Sequence, residues 1–374
     1  MRYYIIAGEA SGDLHASNFI KALTQLDPKA IIRGWGGERI HAAGAELVHH
    51  YRDTAFMGLW EVIKNIRKIS SLLKKCKADI LKFKPDVVVL VDYPGFNLRI
   101  AQWAKENNFK TCYYISPKLW AWNEKRVFKI KKCIDLMLCI FPFEVDFYKK
   151  YNYDVKFVGH PLLDAMDDDK NENTTKTKIA FLPGSRKQEI DSMSTIFSGI
   201  AAKFANEKFV VAGISSLGKD QYSKFNLKNI EIIWDDTHRV LKQSKAAIVN
   251  SGTATLEAAL YNVPQVVCYK TSGLTYEIAK RLVKVKWISP VNLVLNREAV
   301  KELIQDQCNA QSVEKELKKL ILNEPSRNNL MSDYIELKKM LGGKGASAKA
   351  ASALMEFLNS IVHSKQLDAK KTVD

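Results

Sequence analysis

The sequence predicts an α/β protein made of two doubly wound parallel-sheet domains, and three observations carry that expectation. Short apolar, β-branched runs alternate with helical stretches along most of the chain, the pattern of parallel strands joined by crossover helices. The alternation is interrupted once, by the polar stretch DDDKNENTTKTK (167–178), and then restarts. At 374 residues the chain also exceeds what one hydrophobic core usually serves.

In chain order, the first set of strand-like runs is YYIIAG (3–8), AIIRGWG (30–36), DVVVLVD (86–92), KTCYYIS (110–116), LMLCIFP (136–142) and VKFVGHP (155–161). The second set is IAFLPGSR (179–186), KFVVAGIS (208–215), IEIIWDD (230–236), AAIVNSG (246–252) and PQVVCYK (264–270). The resulting parse places a Rossmann-like N-terminal domain at 1–166, a linker at 167–178 and a Rossmann-like C-terminal domain at 179–343. A C-terminal helix over 344–364 is expected to pack back on the N-terminal domain, followed by a polar tail over 365–374. Ligands of open α/β sheets bind beyond the carboxyl ends of the strands, so the two domains are expected to face a central cleft.

Bulk properties narrow the partners. Lys plus Arg number 57 against 41 Asp plus Glu, a formal +16 that favours an anionic partner: nucleic acid, nucleotide or phospholipid surface. No apolar run approaches the roughly 20 residues that span a bilayer. The opening MRYYIIAGEASGD passes straight into a strand and turn, unlike a signal peptide. Cys76, Cys112, Cys133, Cys139, Cys268 and Cys308 show no metal spacing and read as reduced core residues of a cytosolic protein.

Several turns sit where chemistry is expected. AGEASGDLHAS (7–17) follows the first strand and opens a helix, with Ser11 or Asp13 available to cap it; it lacks the GxGxxG spacing of a dinucleotide site. LVDYPGFN (90–97) ends the most hydrophobic strand with Asp92, whose carboxylate reads either as a turn cap or as a base for a hydroxyl nucleophile. In LPGSRKQEI (182–190), Gly184 and Ser185 form a turn and Arg186 offers a planar cationic fork suited to a diphosphate. In NSGTATLEAAL (250–260), a strand runs into Ser251, Gly252 and Thr253 before a helix. Open backbone amides, the helix dipole and the hydroxyls of Ser251, Thr253 and Thr255 suit a phosphate there, with Glu257 placed for a sugar diol; a plain N-cap is the alternative. SPKLWAWNEKRVFKIKK (116–132) interleaves Trp120 and Trp122 with basic residues, and His160 ends another strand, where a lone His is more often structural. Asp167–Asp169 spells DxD, a metal-holding spacing in some transferases, but its surroundings read as a solvated linker.

The ordered set AGEASGDLHAS, FMGLWEV (56–62), KPDVVVLVDYPGFN (84–97), YISPKLWAWNEKRVFKI (114–130), FVGHPLLD (157–164), LPGSR, NSGTATLE and AKRLVKVKWISPVNL (279–293) resembles the bacterial lipid-A-disaccharide synthase family, from about residue 3 to about 310. The resemblance implies a GT-B glycosyltransferase that joins UDP-2,3-diacylglucosamine to 2,3-diacylglucosamine 1-phosphate and releases UDP, with no cofactor and no catalytic metal. It also implies that Asp92 is the general base, Arg186 the essential arginine, residues 251–257 the UDP-binding turn and Asn292 a donor-site residue. Glu9, Ser11 and Asp13 are acceptor-side candidates. Two departures stand out: Gly95 replaces a second Asp of the family's DAPDFN, and SPVN replaces SLPN before Asn292.

The rival readings are a UDP-sugar 2-epimerase on a similar fold and an RNA-binding protein; the second lacks any RNA-binding motif, and no nucleic-acid partner is expected. Acylated substrates call for a cytoplasmic enzyme that docks peripherally on the anionic inner face of the cytoplasmic membrane. Residues 60–84 combine Trp60, Ile63, Ile66, Leu73 and Ile80 with many lysines, the profile of an interfacial helix; an ordinary outer helix packed on the sheet is the alternative. A homodimer is compatible with the sequence.

Overall fold

The computed structural model describes residues 1–53, 66–166 and 175–371. The chain divides into two compact units, residues 1–165 with 342–374 and residues 166–341.

The first unit holds a seven-stranded sheet, all of whose pairings are parallel, in the order β3-β2-β1-β4-β5-β6-β7. Its strands are β1 (Arg2–Ala7), β2 (Ile31–Gly36), β3 (Glu46–His50), β4 (Val87–Val91), β5 (Lys110–Tyr114), β6 (Leu136–Cys139) and β7 (Lys156–Phe157). The five residues of β4 are all buried, because helices cover both faces of a doubly wound sheet. On one face, Leu72, Cys76, Ile80, Phe83, Ile100, Ala104, Val127 and Ile130 join a single core; they come from the helices Ile66–Phe83, Pro94–Glu106 and Val127–Cys133.

The final helix, Ala346–Lys371, packs against the first, Ala10–Leu26. Asp164 caps it by accepting the amides of Gly345, Ala346 and Ser347 at 2.7, 3.1 and 2.7 Å. Such a cap contributes about 1 kcal/mol. The helix runs on to Lys371 through the segment expected to be a polar tail, since SKQLDAKK is rich in good helix formers.

The second unit holds a six-stranded parallel sheet in the order β10-β9-β8-β11-β12-β13. Its strands are β8 (Lys178–Leu182), β9 (Phe209–Gly213), β10 (Ile230–Trp234), β11 (Ser244–Asn250), β12 (Gln265–Tyr269) and β13 (Lys301–Ile304). Two strands escape the sequence pattern, β3 and β13. Both lie at sheet edges, where half-exposed residues such as those of ELVHH break the apolar run.

Each sheet reverses its strand order once, between β1 and β4 in the first unit and between β8 and β11 in the second. Ligands of open α/β sheets bind beyond the carboxyl ends of the strands at that reversal. Four turns leave these strands at the two reversals, after β1 and β4 and after β8 and β11.

Candidate active site

In the first unit the turn after β1 carries Glu9 and the turn after β4 carries Asp92. Asp92 and Tyr93 both adopt left-handed backbone, at φ +46° and +49°, which is uncommon for a side-chain-bearing residue. Neighbours hold the strained pair: the Asn97 amide donates to the carbonyls of Val91 (3.2 Å) and Asp92 (2.7 Å), and the Tyr113 hydroxyl donates to the Asp92 carbonyl at 2.6 Å. A Cβ at Gly8 would collide with the Tyr93 ring, so glycine is required where β1 ends. Pro94 then starts the next helix at a position that needs no N–H donor.

This arrangement turns the Asp92 carboxyl into a half-buried group whose pKa is pushed up to about 6. Burial is the first cause, the Glu9 carboxylate adds to it and Lys118 opposes it. Glu9 and Asp92 thus act on one another, and the acid that results can change its proton near neutrality. Ser11 is exposed in the first turn of the first helix. Asp13 goes elsewhere: it is 2% exposed and its carboxylate accepts the amides of Gly37 (2.7 Å), Arg39 (3.2 Å) and Ile40 (3.2 Å), which fastens the first helix to the start of the short helix Glu38–Ala42. A Cβ at Gly95 would meet nothing within 4 Å, so an Asp at that position is sterically permitted.

In the second unit the turn after β8 is already occupied from within. The Glu189 carboxylate accepts the amides of Ser185 (2.8 Å) and Arg186 (3.2 Å), where an anion would otherwise bind. Gly184, at φ +111°, makes room for that carboxylate. Arg186 is exposed, with its guanidinium 3.6 Å from Glu189.

The turn after β11 is open by comparison. Among the described residues, the amides of Gly252, Thr253 and Ala254 have no acceptor, and they begin the helix Thr253–Leu260. Ser251 and Thr255 do not offer their hydroxyl protons outward: they donate to the carbonyls of Ile288 (3.2 Å) and Gly252 (2.8 Å). Thr253 is exposed. Burial raises the Glu257 carboxyl above its ordinary range, and His238 opposes the rise. Asn292 is fully buried with its amide satisfied inside the protein: the nitrogen donates to Val300 and Glu302, and the oxygen accepts Ala299 and Val300.

Other expected features resolve differently. His160 is buried, accepts the Leu162 amide at 3.3 Å and packs on Phe141, so it is a structural residue. Trp120 donates to the buried Glu144 at 3.2 Å, whereas Trp122 is 47% exposed beneath Arg126. Trp60, Ile63 and Asp167–Asp169 lie outside the described residues. Ile80 is buried and Leu73 half-buried against the sheet, so their apolar stripe packs inward. Among the described residues no three His, Cys, Asp or Glu side chains are grouped to hold a metal, and no helix is long and apolar enough to cross a membrane. Asn97, Tyr113, Lys118, Glu189 and Glu302 support these turns without standing in any of the expected motif roles. Glu189 was legible as the acid three residues into a helix that closes a capping box; the others act through tertiary contacts.

A model of the lipid-A-disaccharide synthetase family matches residues 3–357. The lipid-A-disaccharide synthase of Syntrophus aciditrophicus is 36% identical over 366 residues, covering 93% of this chain and 95% of its own. That of Trichlorobacter lovleyi is 35% identical over 376 residues, covering 96% and 97%, and that of Coxiella burnetii 34% over 369 residues, covering 95% and 98%. Among solved structures, a glycotransferase of kitacinnamycin gives a TM-score of 0.67 at 13% identity, over 96% of this chain and 99% of that one. The UDP-GlcNAc 2-epimerase of Neisseria meningitidis, bound to UDP-GlcNAc, gives 0.63 at 13% identity, over 96% and 100%. These two likenesses show the fold alone.

Proposed function

The chain belongs to the lipid-A-disaccharide synthetase family, and from that membership we propose how its two units share one transfer. It is a GT-B glycosyltransferase that forms a lipid A disaccharide. The donor is UDP-2,3-diacylglucosamine and the acceptor 2,3-diacylglucosamine 1-phosphate. Asp92 takes the proton of the acceptor 6-hydroxyl as that oxygen attacks the anomeric carbon. The bond from that carbon to the diphosphate breaks with inversion, giving a β-1,6 linkage and UDP.

The open amides of Gly252, Thr253 and Ala254, the Thr253 hydroxyl and Arg186 receive the charge that develops on UDP. Glu257 holds the ribose hydroxyls. For Arg186 to serve, it must leave Glu189 for the diphosphate, a better partner by charge. Glu9 keeps Asp92 basic enough to work near neutral pH. The observation that carries this reading is the Asp92 carboxyl, held in a strained turn at the strand-order reversal and pushed up to about 6.

Both substrates carry acyl chains, so the enzyme meets an anionic membrane. The outer face of the helix Ile66–Phe83 supports this with Arg67, Lys68, Lys74, Lys75, Lys77 and Lys82 against Asp79 alone, and Asp79 is engaged by Arg33 at 2.7 Å. On the same layer, exposed Phe128 stands among Lys129, Lys131 and Lys132. Each such cation near an anionic surface contributes about 1 kcal/mol, screened within about 10 Å at 0.1 M salt.

The test is purified protein with both acylated substrates and products read by mass spectrometry. A tetraacyl disaccharide 1-phosphate with UDP, formed only when acceptor is present and unaffected by EDTA, is the expected result. An epimeric UDP-sugar formed without acceptor, as an epimerase would give, or activity lost to chelation and restored by magnesium, would overturn the reading.

A further inference from the structure

Asn292 has no hydrogen-bonding capacity left for a ligand, yet it lies in a network that ends at the open turn of the second unit. The network starts from Glu302 on β13, which is 8% exposed. Its carboxylate accepts the amides of Ile288 and Ser289, each at 2.9 Å, and the Asn292 side-chain nitrogen at 2.8 Å. Ser289 in turn accepts the Asn292 amide at 3.2 Å, capping the helix Pro290–Leu295. The 288–289 peptide closes the chain: its N–H, on Ser289, is held by Glu302 and its carbonyl, on Ile288, accepts the Ser251 hydroxyl at 3.2 Å.

No cation is paired with Glu302 among the described residues. Three N–H groups converge on this buried carboxylate, and the hydrogen bonds they make offset the cost of burying it. Both oxygens must accept, which only an acid of this length provides. A carboxylate in that position sets the plane of the 288–289 peptide, and through it the rotamer of Ser251 and the entry of the strand into Gly252.

We propose that Glu302 is a positioning residue for the donor site, acting with Asn292 through the 288–289 peptide on the Ser251–Ala254 turn. The inference rests on the reading of that turn as the UDP site. Its consequence is that Glu302 and Asn292 govern donor affinity without touching the donor.

The test is UDP titration calorimetry on the full chain, with melting temperature recorded alongside. Glu302→Gln keeps the shape but turns a donor toward one of the three N–H groups. It should raise the UDP Kd about tenfold, the equivalent of one buried group left without its partner. Turnover at saturating donor should change far less than KM. Ser251→Ala cuts the link at the other end, so the double variant should bind UDP no worse than the weaker single variant. If Glu302→Gln does not fold, Ser289→Ala paired with Ser251→Ala is read in the same way. A Kd unchanged in the Glu302 variant despite a lower melting temperature, or losses that add in the double variant, would overturn the inference while leaving the donor site standing. Failure of the unmodified protein to bind UDP would overturn both.

Discussion

The two units share a topology and differ in the sign of what they present. At the reversal between β1 and β4 the chain places two carboxylates, Glu9 and Asp92, and the second is held in strained backbone. At the reversal between β8 and β11 it places open amides, the start of a helix and the exposed Arg186. The fold fixes where a site forms, while a few turn residues decide whether that site handles a proton or a diphosphate.

The largest effect that can break this comparison is expected at Asp92. Asp92→Ala should lower turnover by at least the roughly 100-fold typical of lost general-base catalysis. Near-normal turnover would make the strained turn a structural feature and leave Glu9 next in line. Arg186→Ala should come second, with kcat/KM falling about 10- to 100-fold as a charge-assisted contact is lost. Unlike Asp92→Ala, it should weaken UDP binding at the same time.

A smaller effect sharpens the carboxylate side. The base works deprotonated, so kcat/KM should fall as pH drops below about 6, the value to which Asp92 is raised. Glu9→Gln removes a charge that raises it, so the acid limb of the profile should move to lower pH. A limb that stays in place would mean Glu9 does not act on the base. The smallest effect on chemistry is expected from Lys68, Lys74, Lys75 and Lys77 replaced together by Glu. That variant should lose sedimentation with anionic liposomes at low salt and keep UDP binding. Unchanged liposome binding would move the membrane contact to Phe128, Trp122 and their lysines.

Much of the division between the units was legible in the sequence, because both open sites sit on turns that follow strongly apolar strands. VVVLVD and AAIVNSG announce buried parallel strands, and the small or acidic residues after them announce the turn. What escaped was whatever depends on partners far along the chain. Asp13 looked like a cap for its own helix, but it caps amides 24 to 27 residues on. Asn292 looked like a ligand contact and is instead tied to Glu302, on an edge strand too short and polar to be seen. Strain at Asp92 and Tyr93 left only a faint mark, the proline that follows. Ser251 falls on the turn and Thr255 in the helix after it, as the pattern predicts, but which way each hydroxyl points is set by the carbonyl that accepts its proton, Ile288 for one and Gly252 for the other.

The central claim is that the proton and the diphosphate are handled by different units. UDP titration of Asp92→Ala and Arg186→Ala, measured beside turnover on the same preparations, tests it most directly. The account predicts that Asp92→Ala binds UDP as the unmodified protein does while turnover falls by about 100-fold or more, and that Arg186→Ala loses both together. Weakened UDP binding in Asp92→Ala to the extent that turnover falls, or full UDP affinity in Arg186→Ala, would contradict it.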